Sequence, residues 1–297
     1  MSKTPKTPKT PKTPKTPKSP KVHRSLSVLV GDPQGRALGL ELPAGGVLSV
    51  RGEPLLWVSD GPVGVGALGA HRSPALAAAG LQAVLFQGRR GLEEWWRDRE
   101  LRPQRMSDPD DHHVEPVLRE FWHGVVPDPG EGEEGEELIA PFGRDWPGLA
   151  ESGPAGGPAG GPDVADPEAA ACELADELIG SGSLPSPRLA LVPAARGADV
   201  PTAMGWCGPT NHENDTARIS AVLRSWEDRF GARVVALGFD ELYVSVAAPP
   251  RTVAGALPVA AEHFAFAPDN IWQGSGTIRA YADEAVTGSN LWGFWWD

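Results

Sequence analysis

The chain has 297 residues, 40% hydrophobic and 22% charged, the balance of an ordinary soluble globular protein. All seven lysines lie in the first 21 residues, which hold no acid, so that tail carries +7 and the remainder −19 of a net −12. An acidic body repels DNA phosphates and anionic lipid, two cysteines (Cys172, Cys207) exclude a disulfide framework or a four-thiolate zinc site, and no apolar run approaches the ~18 residues of a membrane span.

Thiol scarcity, and a basic start without the apolar stretch of a secretory signal, lead to the expectation of a cytoplasmic protein. Residues 1–24 are read as a tail built on KTPKTPKTPKTPKTPKSPK (3–21), where proline at every third position blocks helix and sheet. Such an arm is extended and polyproline-like, and it is the only part suited to touching nucleic acid or to Thr-Pro phosphorylation.

Residues 25–126 form an N-terminal α/β region, β-rich at its start. Short apolar runs between Gly/Pro turns predict strands at Ser27–Val30, Ala37–Leu42, Val47–Val50 and Leu55–Ser59, then Ala83–Gln87. GVGALG at 64–69 matches G-x-G-x-x-G, but four residues separate it from the preceding strand, Pro74 shortens the helix, and no ribose-binding acid follows the next strand; no cofactor is expected. SDPDDHHVEPVLREFWHGVV (107–126) predicts a helix with Val117, Leu118, Phe121 and Trp122 on its apolar face and Ser107 or Asp108 as cap. Glu120 and His123 sit three apart as in bundle-type metal sites, yet no second copy accompanies them, so no metal is expected.

Residues 127–165 read as an acidic, Gly/Pro-rich linker in which LIAPFGRDWPGL (138–149) is an apolar island that docks on a neighbouring domain. The C-terminal α+β domain follows at 166–297. Asp166-Pro167 opens a helix with Leu174, Ala175, Leu178 and Ile179 on one face, bordered by Cys172 as a small buried hydrophobe. Leu189–Val192 is a strand. Ile219, Val222, Leu223, Trp226 and Phe230 mark a strong helix, with Arg224 and Asp228 spaced for an i,i+4 pair. Arg233–Leu237 and Leu242–Ala247 form a hairpin around GFDE. Pro249-Pro250 opens a helix that Pro258 kinks or splits, a third helix spans about Thr277–Val286, and NLWGFWWD is the last strand. The order β-α-β-β-α-(α)-β is ferredoxin-like, and it predicts an antiparallel sheet with helices on one face. Trp292, Phe294 and Trp296 alternate against Trp295, which predicts a central, covered strand.

The strings GW-x-G-x-x-N, LRSWEDRFGARVV, SVAAPP, AEHFAFAPDNIWQG and FWWD, over Ala203 to Asp297, resemble the bacterial domain of unknown function 4253 family. The resemblance implies a fold unit and a bacterial origin, and no reaction. That family often places Cys before Pro-Asp-Asn, where this chain has Ala267, which puts a thiol role there in doubt.

GWCGPTNHEND (205–215) clusters Cys207, Asn211, His212, Glu213 and Asp215. Residues five apart rarely form a Cys–His pair, whereas Thr210-x-x-Glu213 fits a capping box, with Asn214 or Asp215 as second choices for the cap. The second polar knot, EHFAFAPDNIWQ (262–273), supplies Glu262, His263 and Asp269 as the catalytic candidates. If the sheet brings the two stretches together, Trp206, Asn211, Asn270, Trp272 and Gln273 wall a binding pocket; otherwise these side chains tie down loop backbone. The expected function is a non-catalytic, immunity-like or regulatory module whose partner is another protein. The alternative is a hydrolase-like or transferase-like enzyme around Glu262, His263 and Asp269, with or without a metal.

Overall fold

The computed structural model describes residues 24–88, 95, 100–128, 132–152 and 165–297. The Lys-Thr-Pro repeat and the Gly/Pro run at 153–162 lie outside the described residues. Among the described residues, seven strands form one mixed sheet: β1 (Gly45–Val50), β2 (Glu53–Ser59), β3 (Leu81–Phe86), β4 (Arg188–Pro193), β5 (Ala232–Leu237), β6 (Glu241–Val246) and β7 (Leu291–Trp295). Their spatial order is β1-β2-β4-β3-β5-β6-β7, antiparallel throughout except for the β3–β5 pair. Strands from 45–86 and from 188–295 thus share a single sheet, with β3 inserted between β4 and β5.

Alternation along the strands sends side chains to two separate cores. Leu189 and Leu191 of β4 face one layer, with α1 (Arg24–Gly31), α2 (Ala67–His71), α3 (Pro74–Ala78) and α6 (Pro167–Gly180). Ala190 and Val192 face the other, with α4 (Val114–Val125), α7 (Val200–Met204), α8 (Thr216–Phe230) and α9 (Val253–Phe266). The expectation of helices on one face is therefore corrected: helices cover both, because these strands are apolar on both sides.

The expected ferredoxin-like order is not what the chain forms: two helices, α7 and α8, lie between β4 and β5, and in the sheet β5, β6 and β7 run as a consecutive meander. β7 is an edge strand, not the central one its apolar faces suggested. Ser27–Val30 is helical because Leu26 and Leu29, three apart, pack over β1 and β2. Ala37–Leu42 is a 3₁₀ turn (Arg36–Leu38) followed by loop. The acidic GEEGEELI is a helix, α5 (Gly132–Ile139), leading into the island, whose Ile139 is buried in the second core with Ala150, the residue just after it. Pro258 lies inside α9 without splitting it. The third helix is α10 (Ile278–Tyr281), continued as a π turn at Ala282–Val286.

β3 and β5 pair only at Leu85↔Ala236 and Phe86↔Leu237. Before that point they part, and carbonyls that would face each other need donors from elsewhere. Arg72, at the end of α2 with its side chain 10% exposed, fills the gap. Its Nε donates to Ala83 O and Nη2 to Val234 O, while Nη1 pairs with Glu168 at 3.1 Å. We expect Arg72→Met to destabilise the fold by about 2–4 kcal/mol, since two buried carbonyls and a carboxylate lose a charged donor. Urea unfolding checks this; a loss under about 0.5 kcal/mol would show that the carbonyls find other donors.

Candidate functional site

The GWCGPTN corner is built by two glycines. Gly205 ends α7 at φ 65°, where an added Cβ would stand 2.1 Å from Pro103 N. Gly208 lies under the indole of Trp206, which a Cβ would meet at 2.0 Å. Trp206 is buried: its Nε1 donates to Gly238 O at 3.1 Å and its ring packs edge-on against Trp296 at 5.6 Å. The cap of α8 is Asp215, whose Oδ1 accepts from Ala217 N at 3.1 Å, and not Thr210. Glu213 is drawn away from a capping box by Arg218 at 2.7 Å and accepts from Asp215 N at 2.8 Å. Cys207 turns its Sγ toward Gly205 O at 3.7 Å, and burial raises its thiol pKa. His212 packs on Phe121 at 4.8 Å with its pKa lowered by burial.

Glu262, first of the catalytic candidates, is fully buried on α9. Its Oε1 accepts from Ala150 N (2.7 Å) and Arg229 Nη1 (2.8 Å), and its Oε2 from Trp226 Nε1 (2.7 Å) and Arg229 Nη2 (2.7 Å). Four donors fill the carboxylate's acceptor directions, the condition under which a buried ion pair offsets a desolvation cost of several kcal/mol. The Arg224–Asp228 pair does not form: Arg224 binds Asp199 and Asp110, and Asp228 binds Arg196, because those partners face α8 from other elements.

His263 is also fully buried, with Trp292 at 4.6 Å and Trp226 and Phe294 each at 4.9 Å around its ring. Asn270 Nδ2 donates to the Tyr281 hydroxyl at 3.2 Å, which leaves that hydroxyl to donate to His263 Nδ1 at 3.2 Å. Nε2 has no hydrogen-bond partner among the described residues. Burial pushes His263 well below its ordinary pKa and raises that of Tyr281, so both stay neutral around pH 7.

The remaining polar residues converge on the outer edge of β7. Residues 291, 293 and 295, and 297 beyond the strand, turn backbone groups away from β6, where unpaired groups invite another strand. Ser289 Oγ donates to Leu291 O (2.7 Å). Asn270 Nδ2 donates to Gly293 O (2.6 Å), and its Oδ1 accepts from Trp295 N (3.1 Å). Asp269 Oδ2 accepts from Asp297 N (3.0 Å), and Asn211 Nδ2 donates to Asp297 O (2.7 Å). Side chains from three loops thus stand where an eighth strand would. The two sequence knots do meet, and they meet on backbone, at Asp297.

Of the site residues named from sequence, Asn211, Trp272 and Gln273 are exposed. Trp272 is 47% exposed with its ring edge-on to Phe264 at 5.8 Å, on a π turn at Asn270–Ser275. Such turns recur at functional sites. Glu120 pairs with Arg218, and no group of three His, Cys, Asp or Glu among the described residues could hold a metal ion. Arg229, Tyr281 and Ser289 were not legible as members of the knots, since each is linked to them only through space.

Residues 188–297, from β4 to Asp297, match the family described as Domain of unknown function (DUF4253), so this segment carries that domain. No curated protein and no solved structure matches the chain. No helix among the described residues is long and apolar enough to cross a membrane.

Asn270→Ala removes the partners of Gly293 O and Trp295 N. We expect a loss of about 2–3 kcal/mol and concentration-dependent self-association through β7, read by urea unfolding and light scattering. An unchanged midpoint and a monomer at all concentrations would show that the edge needs no side-chain cover. His263 generates a pH dependence. Its folded pKa is depressed, so the unfolded chain binds the proton first, and stability is lost as pH falls below about 6.5. Between pH 7.5 and 5.0 that share is about 2 kcal/mol, with His212 acting in the same direction. His263→Gln should flatten the profile by that amount; identical slopes would show that His263 does not titrate on unfolding.

Proposed function

We propose that the chain is a non-catalytic module that binds another protein, in an immunity-like or regulatory role in the bacterial cytoplasm. The observation that carries this reading is the engagement of the catalytic candidates. Glu262 has four donors on its two oxygens, His263 is enclosed by aromatic rings, and Asp269 holds the backbone of Asp297. What the knots offer to solvent is Trp272, Gln273 and Asn211, an aromatic anchor flanked by amides, the chemistry of a recognition surface. The acidic body supports a basic partner, attracted over distance by charge.

The alternative, a hydrolase-like or transferase-like enzyme, requires the knot to open so that Glu262, His263 or Asp269 meets a substrate. Melting curves against divalent metals and nucleotides separate the two. The binding module predicts no shift. It further predicts that Trp272→Ala leaves the melting temperature within about 2 °C while a protein partner retained by the wild-type chain is lost. A rise of several degrees with a metal or nucleotide, abolished by Asp269→Ala, would overturn this reading for the enzyme.

A further inference from the structure

A second feature lies at the opposite end of β5 from Gly238, whose carbonyl receives Trp206. β3 and β5 pair only at their last residues. Their starts stand apart, and a crevice of about 590 Å³ opens there, end-on to the sheet. Part of its lining is apolar, with Leu76 and Ala77 of α3 and Leu81 of β3. The rest is charged, and it includes three guanidiniums: Arg72 after α2, Arg196 from the turn after β4, and Arg233 of β5. A crevice of this size, apolar on one part and carrying a few convergent polar groups on another, has the make-up of a small-molecule site.

Like charges gathered in one place repel one another. The pKa of Arg72 is lowered, by burial foremost, with the charge of Arg233 acting in the same direction. The carboxylates at hand are already engaged. Glu168 of α6 gives one oxygen to Arg72 and the other to Arg233. Glu227 accepts from Arg196 Nε and Ala198 N, and Asp228 Oδ1 accepts from Arg196 Nη2. After these bonds Arg196 Nη1 and Arg233 Nη2 have no acceptor among the described residues, and each carries two N–H groups. Donors are thus in surplus in the crevice, the condition that an oxyanion satisfies.

Charge balance chooses among oxyanions. The three guanidiniums share the crevice with three carboxylates, Glu168, Glu227 and Asp228, so its lining is neutral in sum. A phosphate dianion meets twice the repulsion from Glu227 and Asp228 that a carboxylate meets. The guanidinium fork also matches a planar carboxylate, as Glu168 between Arg72 and Arg233 shows. We propose that the crevice binds a small organic monocarboxylate, its charged end on Arg196 and Arg233 and its apolar body against Leu76, Ala77 and Leu81. This site is separate from the Trp272 surface, and a carboxylate is neither a metal nor a nucleotide. The protein-binding reading and this one can therefore fail independently.

Benzoate titrated into the full chain tests this, with NMR spectra following the arginine side-chain N–H signals and the leucine methyls. Saturable binding with a Kd of about 1 mM is expected, as for a ligand of so few atoms, with shifts at Arg196, Arg233, Leu76 and Leu81. Benzamide, of the same size but neutral, should bind at least tenfold more weakly, and phenyl phosphate no more tightly than benzoate. Arg233→Met should weaken benzoate at least tenfold. Ala77→Trp fills the crevice from an exposed helix position, leaves every charge in place, and should abolish binding whatever Arg233→Met does to folding. The proposal is overturned if benzoate does not approach saturation by about 20 mM, or if benzamide binds equally well. It also fails if phenyl phosphate binds more tightly, or if the Ala77→Trp chain binds benzoate as the wild type does.

Discussion

A sheet that ends must satisfy the backbone of its last strand, and in this protein the obligation falls on β7. Its outward carbonyls and amides at 291, 293, 295 and 297 are met by Ser289, Asn270, Asp269 and Asn211. Leaving a buried amide or carbonyl unmet costs about 1–3 kcal/mol, more than a surface polar pair contributes. This comparison explains why polar residues gather where the sequence suggests chemistry. Asn270 also reaches the Tyr281 hydroxyl, which ties the edge to His263 inside the second core.

The same core is drawn together by one carboxylate. Glu262 on α9 gathers Trp226 and Arg229 from α8 and the backbone amide of Ala150, the residue that follows the apolar island. The end of the island is held because the next residue, Ala150, donates to Glu262, and Arg229 returns the contact by donating to Ala150 O at 2.9 Å. A carboxylate placed so deep is costly to bury unless donors surround it. Charge in this core therefore holds elements together, and the aromatic rings around His263 close the remaining space.

Much of the local structure was legible in the residues. The period of Ile219, Val222, Leu223, Trp226 and Phe230 gives α8, the Asp166-Pro167 pair gives the start of α6, and GFDE gives the β5–β6 turn. What the sequence could not display was pairing at a distance. A strand apolar on both faces reads as central, yet β7 lies at the edge, because cover comes from Asn211 and Ser289, 78 positions apart. Ser27–Val30 has the β-branched look of a strand, and only the sheet beneath Leu26 and Leu29 decides for a helix. The candidate site was legible as a gathering of polar residues; their partners, Arg229 and Tyr281, were not, since burial and not spacing selects them.

The insertion of β3 between β4 and β5 bears on what the family segment is. Residues 188–297 contain β4, β5, β6 and β7, but the strand that joins β4 to β5 comes from 81–86. In this chain the segment that matches the family is thus a sheet with a missing slat. The upstream region of this chain has one duty toward it: it delivers a strand, apolar on both faces, to the middle of the sheet.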